Sequence, residues 1–580
     1  MHAIRIASYA AFSLVGYAAC QDLELSDCSL LGPIYPMPVS LTKSPIIQDT
    51  RTSFKTLLQD VFDNGTTPWG DFDVANTSIS LGVLSTQTGD FLSEYHHTGS
   101  TPLIKAGLVG GKLDADTLYR TGSIGKLLTV YTILVKLGME YWSEPVTKFV
   151  ADLQDARDDG PVRSINWSEV TLESLARQIS GLPRDSSSTD ISQFGAAAVE
   201  LGLPKLDSGE LLSCGGAGAQ PCTPAEFLRY IEAQNPAAPS WQTPIYSNEA
   251  FQLLGLAFEN ITGESLSDAF KSGIAKPLGL KRTFWSPPAN DSNAMVANPP
   301  GAQTFDEDLG GFTSAGGQWS SLGDLSAIGR SILRSSLLPP AVTRQWLKTT
   351  SLTGDSTSVV GMPFEIFRVD VPISPESNKT RTVDVFSKNG GLGGYSTWIF
   401  LSPDHEIGVT ILAASPNLGG SAVLQLSELA LATWLPAAEA AAREAAATNI
   451  AGKFTSNDGL NSSLSLEMIP DYKGLRLTEL VYNGTDILAL LAQDGATLQY
   501  MSLRDDKQLS FRAIFQSLQQ PQSTSPKRAI ASQCNLAWGS IDLYKYGGFG
   551  LEEFIVQVDG DGKATAVEAP ALRTTFLRKG

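Results

Sequence analysis

The sequence predicts an α+β fold, an α/β sandwich in which helices flank one antiparallel sheet and a helical subdomain is inserted, followed by a separate all-β domain. Three observations carry this. Strand-like segments lie at both ends of the first 440 residues, and helix- and loop-rich sequence fills the middle. From about Ala451 the texture changes to alternating apolar segments separated by Gly, Asn and Asp.

In chain order, Met1–Arg5 is positively charged and Ile6–Ala19 is almost wholly apolar or small, which is too short to span a bilayer and right for a signal peptide over 1–20. Residues 21–69 follow as a Pro-rich extended arm and a helix over 46–64. Thr77–Thr86 and Asp90–His97 read as strands joined through Gln87-Thr88-Gly89, a hairpin signal. Ser123–Leu137 is a strong helical pattern. After the long helical region, strands return at Ser358–Val371, Val383–Ser387, Ser396–Leu401 and Glu406–Ala413. A helix over Ala422–Trp434 is expected to stop at Pro436, with a second helix over 437–448. These elements assign the α+β domain to 70–440. LSLEM, LRLTELVY, ATLQYMSL and IDLYKY assign a β-rich domain to 451–580.

Composition narrows the function. The chain carries 42 Lys+Arg against 60 Asp+Glu, a formal charge of −18. So acidic a surface repels phosphate backbones, and no nucleic-acid partner is expected. No later stretch offers eighteen uninterrupted apolar residues, so no membrane span is expected. Cleavage after Cys20 leaves Cys28, Cys214, Cys222 and Cys534, an even number. Cys214 and Cys222 flank a turn-rich stretch, which makes a local bridge reasonable and leaves Cys28 for Cys534, although four cysteines allow three pairings. N-glycosylation sequons stand at Asn64, Asn76, Asn166, Asn260, Asn290, Asn378, Asn461 and Asn483. Together these features predict a secreted, extracellular glycoprotein.

Several chemistries lack their residues. No G-x-S-x-G elbow occurs, and the only histidines are His2, His96, His97 and His405, which gives little support to a Ser-His-Asp enzyme. No His/Cys cluster has ligand spacing, so no metal and no cofactor are expected. The positive signal is Ser123-Ile124-Gly125-Lys126 at the head of an apolar helix. A spacing of three puts nucleophile and amine on one helical face. The first-turn amides can help to stabilise an oxyanion, and a buried Lys tends to lose its proton and act as a base. The blander reading is an N-cap Ser with a snorkelling Lys. A second S-x-x-K, Ser40-Leu41-Thr42-Lys43, follows Pro36 and Pro38 in the arm and reads as coincidence.

Two further motifs favour catalysis. Tyr246-Ser247-Asn248 precedes a helical segment. Its phenol can relay a proton and its carboxamide can hold Lys126 and a substrate amide. Lys388-Asn389-Gly390-Gly391 lies beside the strand-like STWIFL. It offers a cation, a Gly-rich strand edge and, at Gly391, a second oxyanion N–H.

In that order the motifs resemble the S-x-x-K, Y-x-N and K-T-G of class C β-lactamases, penicillin-binding DD-peptidases and their esterase relatives. VTLESLARQISGLPRD, PLGLKRTFW and SAGGQWSSLGDLSAIGRSIL extend the resemblance over about residues 70–420. The layout from CSLLGPIYPMP to CNLAWGSIDLYKYGG is similar to secreted fungal β-lactamase-like proteins with an extra C-terminal domain. The resemblance implies Ser123 as acylated nucleophile, Lys126 as its base, Tyr246 as proton relay, Asn248 as substrate and lysine holder, and Lys388 as third-motif cation. Two departures stand out: the third motif reads K-N-G, with Asn389 in place of Thr, and Gln178 stands where the family often has His. The expected activity is therefore acyl-enzyme hydrolysis of a small-molecule or peptide-like ester, amide or lactam, with penicillins disfavoured. An acyltransferase would use the same residues. A binding pseudoenzyme would have no need of Ser123, Lys126 and Tyr246 together. The oligomeric state is left open.

Overall fold

The computed structural model describes residues 29–185, 191–207, 214, 220–289, 293–297, 304–416, 420–491, 496–515, 538–539 and 541–579. The expected signal peptide, the sequon at Asn290 and the pairing of Cys28 with Cys534 lie outside them. The chain divides into two compact units. One comprises residues 48–369 and 383–434; the other comprises residues up to 47, 370–382 and 435–580.

The first unit is built on an eight-stranded sheet. Helix α1 (Pro45–Asn64) leads to strands β1 (Ser78–Ser85) and β2 (Phe91–His97). Helices α2 (Ile124–Leu137), α3 (Asn248–Thr262) and α4 (Leu322–Leu333) follow. Six strands complete the sheet: β3 (Ser351–Leu352), β4 (Ser358–Val360), β5 (Glu365–Pro372), β6 (Thr380–Leu392), β7 (Tyr395–Ser402) and β8 (Ile407–Ala414). Their order is β2-β1-β8-β7-β6-β5-β4-β3, so the first hairpin closes onto the last strand. The pairings β2–β1, β1–β8, β8–β7, β7–β6, β5–β4 and β4–β3 are antiparallel.

Period-two alternation explains the layering. β1 and β8 are buried throughout, because both of their faces are covered. On one face, α4 lays Leu322 near Gly82 and Gly329 near Leu84, Ile399 and Leu401. Leu322, Leu325, Ile328 and Ile332 form the buried stripe of this amphipathic helix, whose N-cap Ser321 accepts from the Asp324 N–H. On the other face, Leu81 and Ile79 are paired across the ladder with Tyr95 and His97. Phe62 of α1 stacks on those two rings at 5.2 and 4.4 Å between centroids. The result is helix, sheet, helix.

α2 is the buried axis of the helical side. Ile124–Leu134 are all buried, although Thr129, Val130, Thr132 and Ile133 are poor helix formers. Tertiary packing overrides propensity here, since each buried large aliphatic side chain contributes about 1.5–3 kcal/mol.

The second unit contains an all-antiparallel barrel. A long helix α5 (Gly420–Asn449) leads into β9 (Gly452–Ser456), β10 (Ser463–Glu467), β11 (Leu475–Tyr482), β12 (Thr485–Asp486), β13 (Ala496–Arg504), β14 (Gln508–Phe515), β15 (Glu553–Val558), β16 (Ala564–Ala569) and β17 (Thr574–Arg578). The order β10-β9-β17-β16-β15-β14-β13-β11 closes on itself through the β10–β11 pairing, and β12 is appended to β11. Closure leaves no free edge on the eight main strands. The N-terminal arm packs on this unit. The Leu30 N–H donates to Gln499 Oε1 at 2.6 Å, Gln499 Nε2 returns a bond to the Leu30 carbonyl, and Tyr35 Oη accepts from the Gly474 N–H.

Several sequence expectations are corrected. Pro436 does not end a helix, because α5 runs through it; one missing N–H is outweighed by the packing of a thirty-residue helix whose Leu435, Ala437 and Ala438 are buried. Ser358–Val371 is two strands, interrupted by the turn Gly361–Phe364 with its cis Met362–Pro363 bond. β6 extends well beyond Val383–Ser387 and carries the Gly-rich motif inside a strand. Of IDLYKY, only Lys545–Tyr546 is a strand. The local bridge between Cys214 and Cys222 is present.

Candidate active site

Every piece of the site lies in the first unit. A short strand over Leu118–Arg120 pairs with Trp319–Ser321 and delivers Thr121-Gly122-Ser123 to the head of α2. Ser123 occupies the N-cap position, yet its side chain makes no capping bond. The hydroxyl that normally satisfies an orphan helix N–H is turned elsewhere. Its Oγ accepts a 2.6 Å hydrogen bond from the Tyr246 hydroxyl and a 3.3 Å one from Lys126 Nζ.

Lys126 is fully buried. Its ammonium donates to Asn248 Oδ1 at 2.5 Å and to the Ala315 carbonyl at 2.7 Å. Burial strips the ammonium of water and pulls its pKa down to about 8; Tyr246 opposes this and the Lys388 charge adds to it. Tyr246 feels the converse. Burial pushes its phenol up, but the Lys126 and Lys388 charges, 4.9 and 5.4 Å from its ring centroid, bring it below its ordinary value.

The Tyr246–Asn248 segment is held from below by residues 178–185. The Ile245 N–H donates to the Gln178 carbonyl and the Ser247 N–H to Gln178 Oε1 at 2.6 Å. Ser247 Oγ donates to the Pro183 carbonyl and accepts from the Ala250 N–H, which caps α3. The Asn248 N–H donates to the Arg184 carbonyl, and its Nδ2 donates to both Asp185 oxygens at 2.9 and 3.0 Å. That last contact fixes the carboxamide so that its oxygen faces Lys126. Gln178 itself sits at φ +61, an uncommon conformation for a residue other than Gly.

The third motif closes the site from β6. A β-carbon on Gly122, whose φ is +51, would lie 2.6 Å from the Gly391 nitrogen; one on Gly390 would lie 2.0 Å from the Thr121 carbonyl oxygen. Only glycines let the backbone before Ser123 approach this strand so closely. Thr397 Oγ1 donates to the Thr121 carbonyl at 2.8 Å and locks the approach. Lys388 is buried and donates to Glu365 Oε1 at 2.5 Å and to the Asn389 carbonyl at 3.0 Å. Asn389 is exposed, and its backbone N–H donates to Glu365 Oε2 at 3.0 Å.

The structure thus brings together Ser123, Lys126, Tyr246 and Asn248 by hydrogen bonds. It sets Lys388, Gly390 and Gly391 beside them and leaves the Asn389 side chain at the rim. Sequence reasoning did not identify Glu365, Asp185, the Ala315 carbonyl or Thr397. Asp185 falls within the quoted SGLPRD segment, but Glu365 had no sequence signal, because strand register alone brings it to Lys388. Away from this site, among the described residues, His96 bridges Ser80 Oγ and Glu94 Oε1 at 2.9 and 2.8 Å. Ser80 is wholly buried and also bonds the Tyr119 hydroxyl, so no substrate reaches it. Among the described residues no group of three or more His, Cys, Asp or Glu is arranged to hold a metal, and no helix is long and apolar enough to cross a membrane.

This fold, with a serine–lysine pair on the buried helix and a tyrosine bonded to the serine, is that of the β-lactamase class. Residues 95–433 match the Beta-lactamase family and residues 442–580 match the family described as "Beta-lactamase-like-like, C-terminal domain"; the chain belongs to the β-lactamase family. A "Beta-lactamase-like protein" of Arthroderma benhamiae is similar at 29% identity over 98% of each chain. "Probable hydrolase M10" of a Phoma species is 25% identical over 77% of this chain and 73% of its own. The D-alanyl-D-alanine-carboxypeptidase/endopeptidase AmpH of Escherichia coli is 26% identical over 52% and 72%, respectively.

Proposed function

We propose that this protein is a serine hydrolase that forms an acyl-enzyme on Ser123 and acts on a small ester, amide or lactam. The observation that supports this most is the uncapped Ser123 hydroxyl, held by the Tyr246 phenol and by a buried Lys126. With Lys126 neutral, the amine takes the Ser123 proton as Oγ attacks the acyl carbon. The Ser123 and Gly391 N–H groups stabilise the oxyanion. Tyr246 passes a proton to the leaving group as the acyl bond breaks. Water then adds to the acyl-enzyme by the reverse relay, releasing the acid and restoring the Ser123 hydroxyl. Asn248, held by Asp185, keeps Lys126 aimed at Oγ.

The hydrolase names of relatives support a hydrolytic outcome, and the AmpH name supports amides among the substrates. The domain division into 70–440 for chemistry and 451–580 for the barrel is part of this reading. So is export. Sequons Asn64, Asn166, Asn260, Asn378, Asn461 and Asn483 are exposed, and a disulfide suits an oxidising compartment.

The test is mass spectrometry after incubation with a fluorophosphonate and with activated esters. A single adduct on the peptide containing Ser123 is expected. An adduct elsewhere, or turnover that persists in Ser123→Ala, contradicts the reading.

A further inference from the structure

Glu365 places a carboxylate where a carboxylate-bearing substrate would need to put its own. Its two oxygens take up the Lys388 ammonium and the Asn389 N–H, which are two donors on the strand edge beside the nucleophile. Lys388 Nζ is 5.4 Å from the ring of Tyr246, whose hydroxyl bonds Ser123, and Gly391 borders the Gly122–Ser123 backbone. The Lys388 side chain is 1% exposed while that of Glu365 is 28% exposed. What docks on this edge therefore meets the acid rather than the cation. From the opposite wall, the Arg184 guanidinium stands 4.6 Å from the Tyr246 ring, with an Asp185 oxygen 3.7 Å from its Nε. That side chain is 65% exposed while Asp185 is 4% exposed, so this wall shows its cation, and it is Glu365 alone that screens the Lys388 and Asn389 donors.

We infer that Glu365 is a specificity-determining residue that turns this site toward substrates whose leaving group is uncharged. The inference rests on the acyl-enzyme reading above. A leaving-group carboxylate would have to displace Glu365 from Lys388 and Asn389, or lie beside it and suffer like-charge repulsion. An uncharged leaving group meets neither obstacle. The substitution of Asn389 for the family's Thr acts in the same direction, because the exposed carboxamide leans toward Lys388 with Oδ1 at 3.4 Å from Nζ.

The experiment uses the full chain and a matched pair of phenylacetyl thioesters, one of thioglycolate and one of its methyl ester, with the released thiol followed colorimetrically. The readout is the ratio of kcat/KM for neutral over anionic substrate, in which any loss of geometry common to both cancels. Wild type should favour the neutral thioester at least tenfold at low ionic strength, and added salt should shrink the preference. Glu365→Gln should lower the ratio about tenfold, whereas Glu365→Asp, which keeps the charge, should largely retain it. A wild-type ratio near one, or equal ratios in the Gln and Asp variants, overturns the inference. Thioester hydrolysis that survives Ser123→Ala overturns the acyl-enzyme reading, and the inference with it, an outcome distinct from an unchanged ratio in Glu365→Gln.

Discussion

The chain carries the same four-residue spacing twice, and the two copies meet different fates. Ser40-Leu41-Thr42-Lys43 folds as a three-residue 3-10 turn with Ser40 and Lys43 exposed to solvent. Helix α1 starts only after it, at Pro45. Ser123–Lys126 begins a helix whose first eleven residues are buried. Neither serine caps its own helix. At Ser123, however, a phenol takes the hydroxyl and a carboxamide and a carbonyl hold the amine. Spacing alone supplies proximity within one turn. Desolvation of the amine and partners from distant parts of the chain supply what the proposed chemistry requires.

The largest expected effect breaks the comparison outright. Ser123→Ala should lower kcat/KM for an activated ester by about a thousandfold or more and abolish fluorophosphonate labelling, while Ser40→Ala should stay within about twofold of wild type. Equal losses in the two variants would mean that context does not decide. Next in size is the amine. Lys126→Met should cost about a hundred- to ten-thousandfold in kcat, the range of a lost general base, and Lys43→Met should cost nothing measurable. Because burial lowers the Lys126 pKa to about 8, the active neutral form accumulates as pH rises through that value. Wild-type kcat/KM should therefore climb between about pH 7 and pH 9. A profile flat across that interval would remove Lys126 from the role of base.

The sequence revealed those parts of the molecule that depend on local order. The hairpin β1–β2, helix α2 and the residues of all three motifs follow from periodicity, punctuation and spacing. What it concealed depends on register and on long-range pairing. That β6 runs to Leu392, so that Gly390 and Gly391 lie flat against Thr121–Ser123, follows from its ladder with β7 and not from any residue near the glycines. Glu365 reaches Lys388 across two strands. Pro436 misled because a local rule was applied to a helix held by its packing. Barrel closure, too, is invisible in short alternating segments, since it needs β9 to pair with β17, more than a hundred residues further along the chain.

A smaller effect concerns what holds the tyrosine rather than what reacts. Gln178 Oε1 receives the buried Ser247 N–H, next to Tyr246, while its Nε2 has no hydrogen-bond partner among the described residues. Gln178→Leu orphans that N–H, costing about 1–3 kcal/mol of stability, and frees the segment that aims the phenol. A shift of about an ångström is worth about a hundredfold in rate, so kcat should fall ten- to a hundredfold while the pH at which activity rises stays put. A changed pH midpoint with unchanged kcat would contradict a positioning role. Gln178→Glu, which retains the acceptor, should recover much of the loss.

The smallest effect separates burial from catalysis. Glu249 follows Asn248 on α3 and, like Lys126, is wholly buried, yet it touches no reacting group in the proposed mechanism. Its Oε1 accepts from Gln234 Nε2 at 2.8 Å, and its Oε2 has no hydrogen-bond partner among the described residues. Burial pushes its pKa from 4.5 up to about 8, with the Asp185 charge reinforcing the rise. Between those two values the folded protein holds a proton that the unfolded chain releases. With more protons bound in the native state, stability falls as pH rises through this window and levels off above it. The same burial that in the proposed mechanism readies Lys126 as a base therefore makes Glu249 a pH-dependent burden on the fold and nothing more. Glu249→Gln has no charge to bury. Its melting temperature should fall less than that of wild type between pH 5 and pH 8, by a few degrees, with esterase activity per folded molecule unchanged. Calorimetric melts of both proteins across that interval check it, and parallel curves would show that Glu249 is already ionised in the native state at pH 5.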